Sequence, residues 1–571
     1  MRWICSLGIL FFLLSSFEHG SEKYPQDYFR SPVNFPILLS GTFGELRPNH
    51  FHAGIDIKSS NGKTGDDLVA VAKGTISRIK VQSAGYGNVL YMNHPNGYTS
   101  VYAHLKEFPK EIADYVRKFQ YQKKKFEVNI YPPAGTFNFE QGEKIGTLGT
   151  SGRSYGPHLH FEIRDTKTEK PINPQLFGIG KEDTMAPKFH QIRWYGLNDK
   201  KETLHEGSYD LIKDGNNYRI KGDTISLGAW RAGLAIKAYD HTNGSPNWNG
   251  IYSLEVKQDG KKIYGFTMES FAFHETRYIN AHLDYKERVE NKSYYHRCFR
   301  LPGNKLSIYE DAVKEGIVPL YKDKASQIEM VAKDVAGNTA RLEFWVKRSE
   351  VPDPPSNTFQ YVFPFEEENY ASGDGWKLQM RRGTLYEDLY WKYSSEKAPE
   401  MGYSPVHIFH NGFTPIHKSY ELLIQPDHLP DHLKEKALIA SRDSKGNWSS
   451  AGGKWKGEYL VTKVRSLGAY SVMTDQQKPK ISPIKFKKDM QGYTRMSFKV
   501  TDDMDAAKEI NSFGYNATID GEWALFEYDA KNDLLTHRFV PEEFGKGEHV
   551  VKLVVTDAVG NKSVFQEVFN R

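Results

Sequence analysis

Residues 156–164 read GPHLHFEIR, and the spacing within this stretch decides how the N-terminal part of the chain is read. His158 and His160 are two residues apart. In a β-strand, residues i and i+2 share a face at a separation of about 6.6 Å, so both imidazoles reach one place while Leu159 and Phe161 turn to a core. Glu162, Ile163 and Arg164 continue the alternation and support the strand. Upstream, Gly146, Gly149 and Gly152 recur at threefold spacing. No helix follows to hold a phosphate, so they read as turns shaping a wall beside His158. Gly152-Arg-Ser154-Tyr-Gly156 has the letters of a nucleophile elbow, but Pro157 and a period-2 segment stand where that motif needs a helix, which sets a serine hydrolase aside.

Two further segments carry residues of the same chemical type. YTSVYAHL (98–105) alternates as a strand, with Tyr98, Ser100, Tyr102 and His104 expected on one face and Thr99, Val101, Ala103 and Leu105 on the other. In HAGID (52–56), His52 and Asp56 are four apart. An extended chain would separate them by about 13 Å, too far to share one metal ion. Gly54, Ile55 and Ile57 oppose a helix. A chain bent near Gly54, with Asp56 on the strand that follows, satisfies both constraints. Two histidines and a carboxylate form a known catalytic zinc shell that leaves the fourth position to water. The two remaining histidines are then available for proton transfer and for stabilising an oxyanion. Spacing alone does not say which of the five residues does which. His50 and His94 read as structural or exposed. The helical H-E-x-x-H zinc motif is absent.

The chain has 571 residues, 39% hydrophobic and 26% charged, ordinary values for a soluble globular protein. Aromatic residues make up 13%, which points to aromatic-rich β domains. A net charge of +5 is too mild over this length for a nucleic-acid binder. Cys5 and Cys298 are the only cysteines, which excludes a disulfide framework and a Cys-based zinc site within one chain. Arg2 followed by the apolar run Trp3–Leu14 reads as a secretory signal peptide over residues 1–20, too short to span a bilayer. The mature protein is therefore expected to be exported, periplasmic or extracellular and associated with the cell envelope, with no stable membrane insertion after signal removal.

Proline-bearing stretches mark joints at EDTMAPKF (182–189), RSEVPDPPSN (348–357) and TDQQKPKISP (474–483). They divide the chain into an N-terminal domain, 21–182, and β-sandwich domains at 183–350, 351–475 and 476–571. With the five residues all before position 161 and a flexible joint downstream, the chemistry is expected to need the first domain alone. The motif D-x-x-G-N recurs at Asp334–Asn338, Asp443–Asn447 and Asp557–Asn561, after apolar strands. It reads as a tight hairpin turn, because each copy offers one carboxylate where calcium takes several oxygen ligands. The fold class is mainly β, with three immunoglobulin-like β-sandwich domains after the first domain.

HAGID, YAHL and GTLGTSGRSYGPHLHFEIR together resemble the lysostaphin/LytM-type zinc metallopeptidases, enzymes that cleave peptides in bacterial peptidoglycan. Arg47, VAVAKGTISRIK (69–80), GYGNVLYMNHPNGYTSVYAHL (85–105) and EQGEKIGTLG (140–149) fit the same resemblance, which covers about residues 40–178. It implies an antiparallel-sheet peptidase domain. It also implies one zinc ion per chain on His52, Asp56 and His160, with His104 and His158 as the catalytic pair and His158 the general base. The substrate implied is peptidoglycan peptide, hydrolysed by zinc-activated water. A peptidase followed by β-sandwiches is similar to exported enzymes of Bacteroidetes-type bacteria. Two alternatives stand beside this reading: the resemblance also allows a catalytically silent regulator or activator of cell-wall hydrolases, and the β-sandwiches allow a wall-binding surface protein. Degenerate relatives usually lack metal ligands, whereas all five residues are present here.

Two features depart from the family pattern. The stretch from Leu105 to Gln141 is longer than usual. KEFPKEIADYVRKFQYQKKKF (106–126) suits a helix with Ile112, Val116 and Phe119 on one face, followed by Lys123-Lys124-Lys125. It reads either as a groove wall that attracts acidic stem peptides or as a solvated basic patch. Phe43 stands where some relatives supply a tyrosine hydroxyl.

Overall fold

The computed structural model describes residues 23–198, 202–310, 313–352, 358–504, 514–540 and 545–571. The expected signal peptide, residues 1–20, lies outside these residues. The chain is mainly β, and no helix among the described residues is long and apolar enough to cross a membrane.

The N-terminal part is built on a nine-stranded antiparallel sheet. Its main path uses β1 (Leu39–Gly41), β2 (Ile55–Lys58), β3 (Gly74–Val81), β4 (Val89–Asn93), β5 (Tyr98–Ala103), β6 (Asn138–Phe139) and β7 (His158–Asp165), in the order β1-β2-β7-β5-β4-β3-β6. β7 is central. It pairs with β2, placing His160 opposite Asp56, and with β5, placing His160 opposite Ala103 and Phe161 opposite Tyr102. Directly paired residues share a sheet face. One face therefore buries Ile55, Ile57, Leu90, Met92, Tyr102, Leu159, Phe161 and Ile163 in a common core. The other face carries His160, Glu162 and Arg164 beside Val89, Tyr91, Val101 and Ala103.

The expected alternation holds over residues 98–103 and breaks at His104 and Leu105. Tyr98 and Tyr102 lie on the core side, and the strand ends at Ala103. His104 adopts φ 61°, in the left-handed region, so it leaves the alternation and turns to the face of His160. A histidine at positive φ is uncommon, and surrounding structure has to hold it there.

The segment after β5 forms helix α1 (Lys110–Lys123), which buries Ile112, Val116 and Gln120 with Phe119 half-buried, close to the expected apolar face. It ends on Lys124 in a left-handed cap. Lys123, Lys124 and Lys125 are exposed, and Tyr121 meets Trp523 edge-on at 5.1 Å. Between α1 and the C-terminal residues Arg495 and 525–538 lies an open cleft of about 900 Å³ that reaches Ser151 and Gly152.

Residues 188–348 contribute a ten-stranded sheet, nine strands on one hydrogen-bonded path and Val318–Pro319 paired beside Arg231–Tyr239. The long strand Thr203–Asp214 pairs with Lys188–Leu197 through residues 203–210, and with Asn217–Leu227 through 211–214. Asn217–Leu227 and Thr339–Arg348 run parallel. Residues 361–474 form two five-stranded sheets around a core that includes Trp376, Trp391, Phe409, Tyr420 and Tyr470, with a two-stranded ribbon beside them. Residues 480–570 form two four-stranded sheets around Phe498, Phe526 and Phe569.

The first two parts do not meet as separate bodies. Phe43, Leu46, Phe51 and Ala53 belong to the same buried cluster as Phe189, Ile192, Leu254, Met268 and Phe271. Phe43 thus lies in this shared core, 5.0 Å from the Phe271 ring.

Candidate active site

The approach to Asp56 begins with the turn at Gly54. A Cβ at Gly54 would stand 2.2 Å from the carbonyl oxygen of Phe161, so glycine lets the chain run against β7. The chain bends there and re-enters the sheet as β2, as expected. His52 Nε2 then lies 3.0 Å from Asp56 Oδ1 and 2.9 Å from His160 Nδ1, and His160 Nδ1 lies 2.9 Å from Asp56 Oδ1. All three residues are buried.

Each imidazole has its other nitrogen occupied. His52 Nδ1–H donates to Thr42 O at 2.8 Å, and His160 Nε2–H donates to Glu162 Oε1 at 2.9 Å. These partners set the tautomers and leave His52 Nε2 and His160 Nδ1 directed at Asp56. A histidine that ligates metal usually has such an outer partner, a carbonyl or a carboxylate. Two imidazole nitrogens and one carboxylate oxygen at about 3 Å from one another fit a zinc shell with bonds of about 2.0–2.2 Å. Asp56 Oδ2 accepts from Arg47 Nη2 at 2.7 Å.

The electrostatics agree with a site for a cation. Burial alone would raise the Asp56 carboxyl, but His52, His160 and Arg47 hold it well below the usual range. Burial, with Arg47 adding to it, lowers His52 to about 4, so its ring is neutral. Burial works against a proton on His160, yet its hydrogen bonds to Asp56 and Glu162 hold the imidazolium up to about 9. A metal ion at this position therefore displaces the Nδ1 proton.

His104 and His158 stand beside this triad. Their ring centroids are 4.8 Å apart, and His158 Nε2 lies 3.6 Å from Asp56 Oδ1. His104 Nδ1–H donates to Ser151 O at 2.8 Å, and His158 Nδ1–H to Gly156 O at 2.8 Å. Both Nε2 atoms are left to accept or give a proton. Burial and the neighbouring His158 and His160 lower His104 to about 3, which keeps it neutral. The glycine turns form the wall expected of them. A Cβ at Gly149 would lie 2.4 Å from Lys106 N and 2.7 Å from His104 O. Ser154 donates to Gly156 O at 2.8 Å within the turn. His50 is exposed, and His94 is buried against Ser100 Oγ at 2.8 Å, in keeping with structural roles.

Sequence reading gave no role to Glu162, Arg164 or Tyr86. Glu162 is fully buried, accepts from Arg164 Nε at 2.5 Å and is hydrogen-bonded by the Tyr86 hydroxyl. The signal was present, because His158, His160, Glu162 and Arg164 all fall on one face, and a polar strand face in mid-sheet needs partners. Burial alone would raise Glu162, but Arg164 and His160 hold it at about 2. This is a depressed carboxylate, so its stabilising effect is full above its ordinary value near 4.5 and is lost as pH falls towards 2. Glu162→Gln leaves Arg164 buried without a counter-charge. It is expected to cost about 3–5 kcal/mol at pH 6 and to flatten the decline of stability between pH 4.5 and 2 in metal-free protein. Denaturant titrations across that range test this, and an unchanged slope would remove the assignment.

The fold and the His/Asp/His cluster define a LytM-type peptidase domain. More particularly, residues 50–121 and 138–174 match peptidase family M23, and this part of the chain is an M23 domain. Residues 360–475 match the Zu5-like domain. Among curated relatives, an uncharacterized metalloprotease of Haemophilus influenzae is 28% identical over 173 residues, 30% of each chain. The DD-carboxypeptidase/endopeptidase Mpg of Neisseria meningitidis is 33% identical over 123 residues, 22% of each chain. The murein hydrolase activator NlpD of Salmonella dublin is 33% identical over 121 residues, 21% of this chain and 24% of that protein. The chain thus spans less than a third of the length of these relatives.

Proposed function

We propose that the protein is an exported zinc metalloendopeptidase that hydrolyses peptide bonds in bacterial peptidoglycan. The observation that carries this reading is the pairing of a buried His52/Asp56/His160 triad with two histidines whose Nε2 atoms are free at its edge. In this reading His52 Nε2, Asp56 Oδ1 and His160 Nδ1 hold one zinc ion. Zinc, when bound, acidifies water and polarises a scissile carbonyl. His158 Nε2 takes the proton from the attacking water and returns it to the leaving amine. His104, fixed by Ser151 O through its Nδ1–H and neutral, presents Nε2 as an acceptor beside His158 and completes the catalytic pair at the edge of the metal site. Arg47 and Glu162 are positioning residues that orient Asp56 and His160.

Purified peptidoglycan is the test substrate, digested by the mature protein with and without a chelator, with mass analysis of the products. New peptide termini that vanish with chelator and return with zinc are expected, together with one zinc per chain in the wild type and none in His160→Ala. The relation to the Salmonella activator supports a second reading, regulation of other hydrolases. That reading gains if no termini form while a cell-wall amidase is stimulated.

A further inference from the structure

Two three-aspartate clusters lie outside the site described above. Asp183, Asp240 and Asp334 bring one carboxylate oxygen each to within 4.8 Å of one another, and so do Asp475, Asp502 and Asp557. The two sets occupy matching places. Asp183 and Asp475 each stand five residues before a strand, at Lys188 and at Lys480. Asp240 and Asp502 immediately follow the strands that end at Tyr239 and Thr501. Asp334 and Asp557 open the D-x-x-G-N turns after the strands that end at Lys333 and Thr556. In both turns the asparagine reaches back to the joint: Asn338 Nδ2 donates to Asp183 O at 3.1 Å, and Asn561 Nδ2 to Asp475 O at 3.0 Å.

Hairpin turns account for only part of this. The third copy of the motif is the control. Asp443 is exposed and both of its carboxylate oxygens are taken up by Asn447, with no other aspartate beside it. In the turn at Asp334 both carboxylate oxygens are likewise taken up by Asn338, so what sets the two clusters apart is the buried, unpartnered carboxylate oxygens among the aspartates they gather. Asp240 is 3% exposed and its Oδ1 has no hydrogen bond; Asp557 is 6% exposed and its Oδ2 has none. No lysine or arginine among the described residues forms an ion pair with Asp183, Asp240 or Asp334, although Lys181 lines the same cavity and Lys188 is near. Leaving such oxygens unsatisfied away from water is costly, and three like charges together increase the cost. Burial and the facing Asp334 and Asp183 carboxylates push Asp240 up to about 8; burial with Asp557 and Asp503 raises Asp475 to about 6.

The donor set selects the ligand. All three donors in each cluster are carboxylate oxygens, which suit a hard cation. Oxygens bound at 2.3–2.6 Å to one calcium ion lie no more than about 5 Å apart, the spread seen in both clusters. At Asp183, Asp240 and Asp334 the partly open pocket is about 10 Å³, room for a single ion. Thr42 and Gln175 form its other wall. At the second cluster Met504 and Val559 pack on Leu438 and Met473 of the preceding sheets. Each cluster thus sits where one part of the chain meets the next.

We propose that Asp183/Asp240/Asp334 and Asp475/Asp502/Asp557 are two calcium sites that lock the joints before residues 188–348 and before residues 480–570. Calcium binding by the zinc-loaded full chain, measured by equilibrium dialysis with labelled calcium, tests this. Two ions per chain are expected, with dissociation constants no weaker than about 1 mM. Asp240→Asn and Asp557→Asn should each lose one ion, the double variant both, and Asp443→Asn neither, with zinc content unchanged throughout. Calcium should raise the melting temperature of the wild type but not of the double variant, which should melt above calcium-free wild type because repulsion is relieved. If either single variant fails to fold, Asp183→Asn and Asp475→Asn replace it at the same sites. A wild type that binds no calcium at 10-fold above that concentration, or variants that still bind two ions, would overturn the proposal.

Discussion

Replacing His158 by alanine is expected to lower turnover per bound zinc by about 10²–10⁴-fold while leaving zinc in place, the usual contribution of a positioned general base. The three proposed ligands do not depend on His158, whose Nδ1 is held by Gly156 O and whose Nε2 stands 3.6 Å from Asp56 Oδ1. His104→Ala is expected to act similarly. Its ring is 4.8 Å from that of His158, and its left-handed backbone gives this position no evident structural advantage unless the side chain is needed where it points. The measurement is kcat per bound zinc, with folding checked by circular dichroism. If both variants turn over near the wild-type rate per zinc, the proton-transfer roles are wrong even though the metal triad stands.

Cutting the chain after Phe177 is expected to abolish zinc binding. The joint near 182–189 suggests that the first domain works alone, but the structure differs. The strand and loop that carry His52 are gripped by residues 250–282. Gly250 N donates to Thr42 Oγ1 at 3.0 Å, Phe51 N donates to Thr276 Oγ1 at 2.8 Å, and Asn280 Nδ2 donates to Asn49 Oδ1 at 3.0 Å. A Cβ at Gly250 would lie 2.8 Å from Glu45 Cα, so the two backbones are in direct contact. Thr42, whose carbonyl orients His52, is therefore fixed from outside the first sheet. Truncation exposes Phe43, Leu46 and Phe51, each worth about 1.5–3 kcal/mol of burial, a sum of roughly 5–9 kcal/mol against a typical domain stability of about 5–15 kcal/mol. A fragment ending near residue 350 should keep one zinc, and one ending at 177 should keep none. A folded 177-residue fragment with full zinc content would show that the second part is dispensable to the site.

The sequence by itself determined the elements that depend on local spacing. Period-2 alternation placed His158 and His160 on one face of β7, and Gly54 with two β-branched neighbours required a bend that brings His52 to Asp56. The helix over Lys110–Lys123 was legible from Ile112, Val116 and Phe119, because a single amphipathic face is a local property. Tertiary structure decided what spacing cannot encode. His104 reaches the site only because β5 ends at Ala103 and the next residue turns left-handed, against the alternation. Alternation puts Glu162 and Arg164 on the face of His160, but their burial as a pair depends on what packs over the sheet. Phe43 and Phe51 look like residues of the first domain and belong to a core completed by Phe271, more than two hundred positions away. The aspartates behave in the same manner: one carboxylate per D-x-x-G-N turn is what local sequence offers, and long-range folding adds the other two. Local periodicity fixes which way a side chain points within its own element, whereas charge clusters and shared cores come from separate elements whose meeting depends on the whole chain.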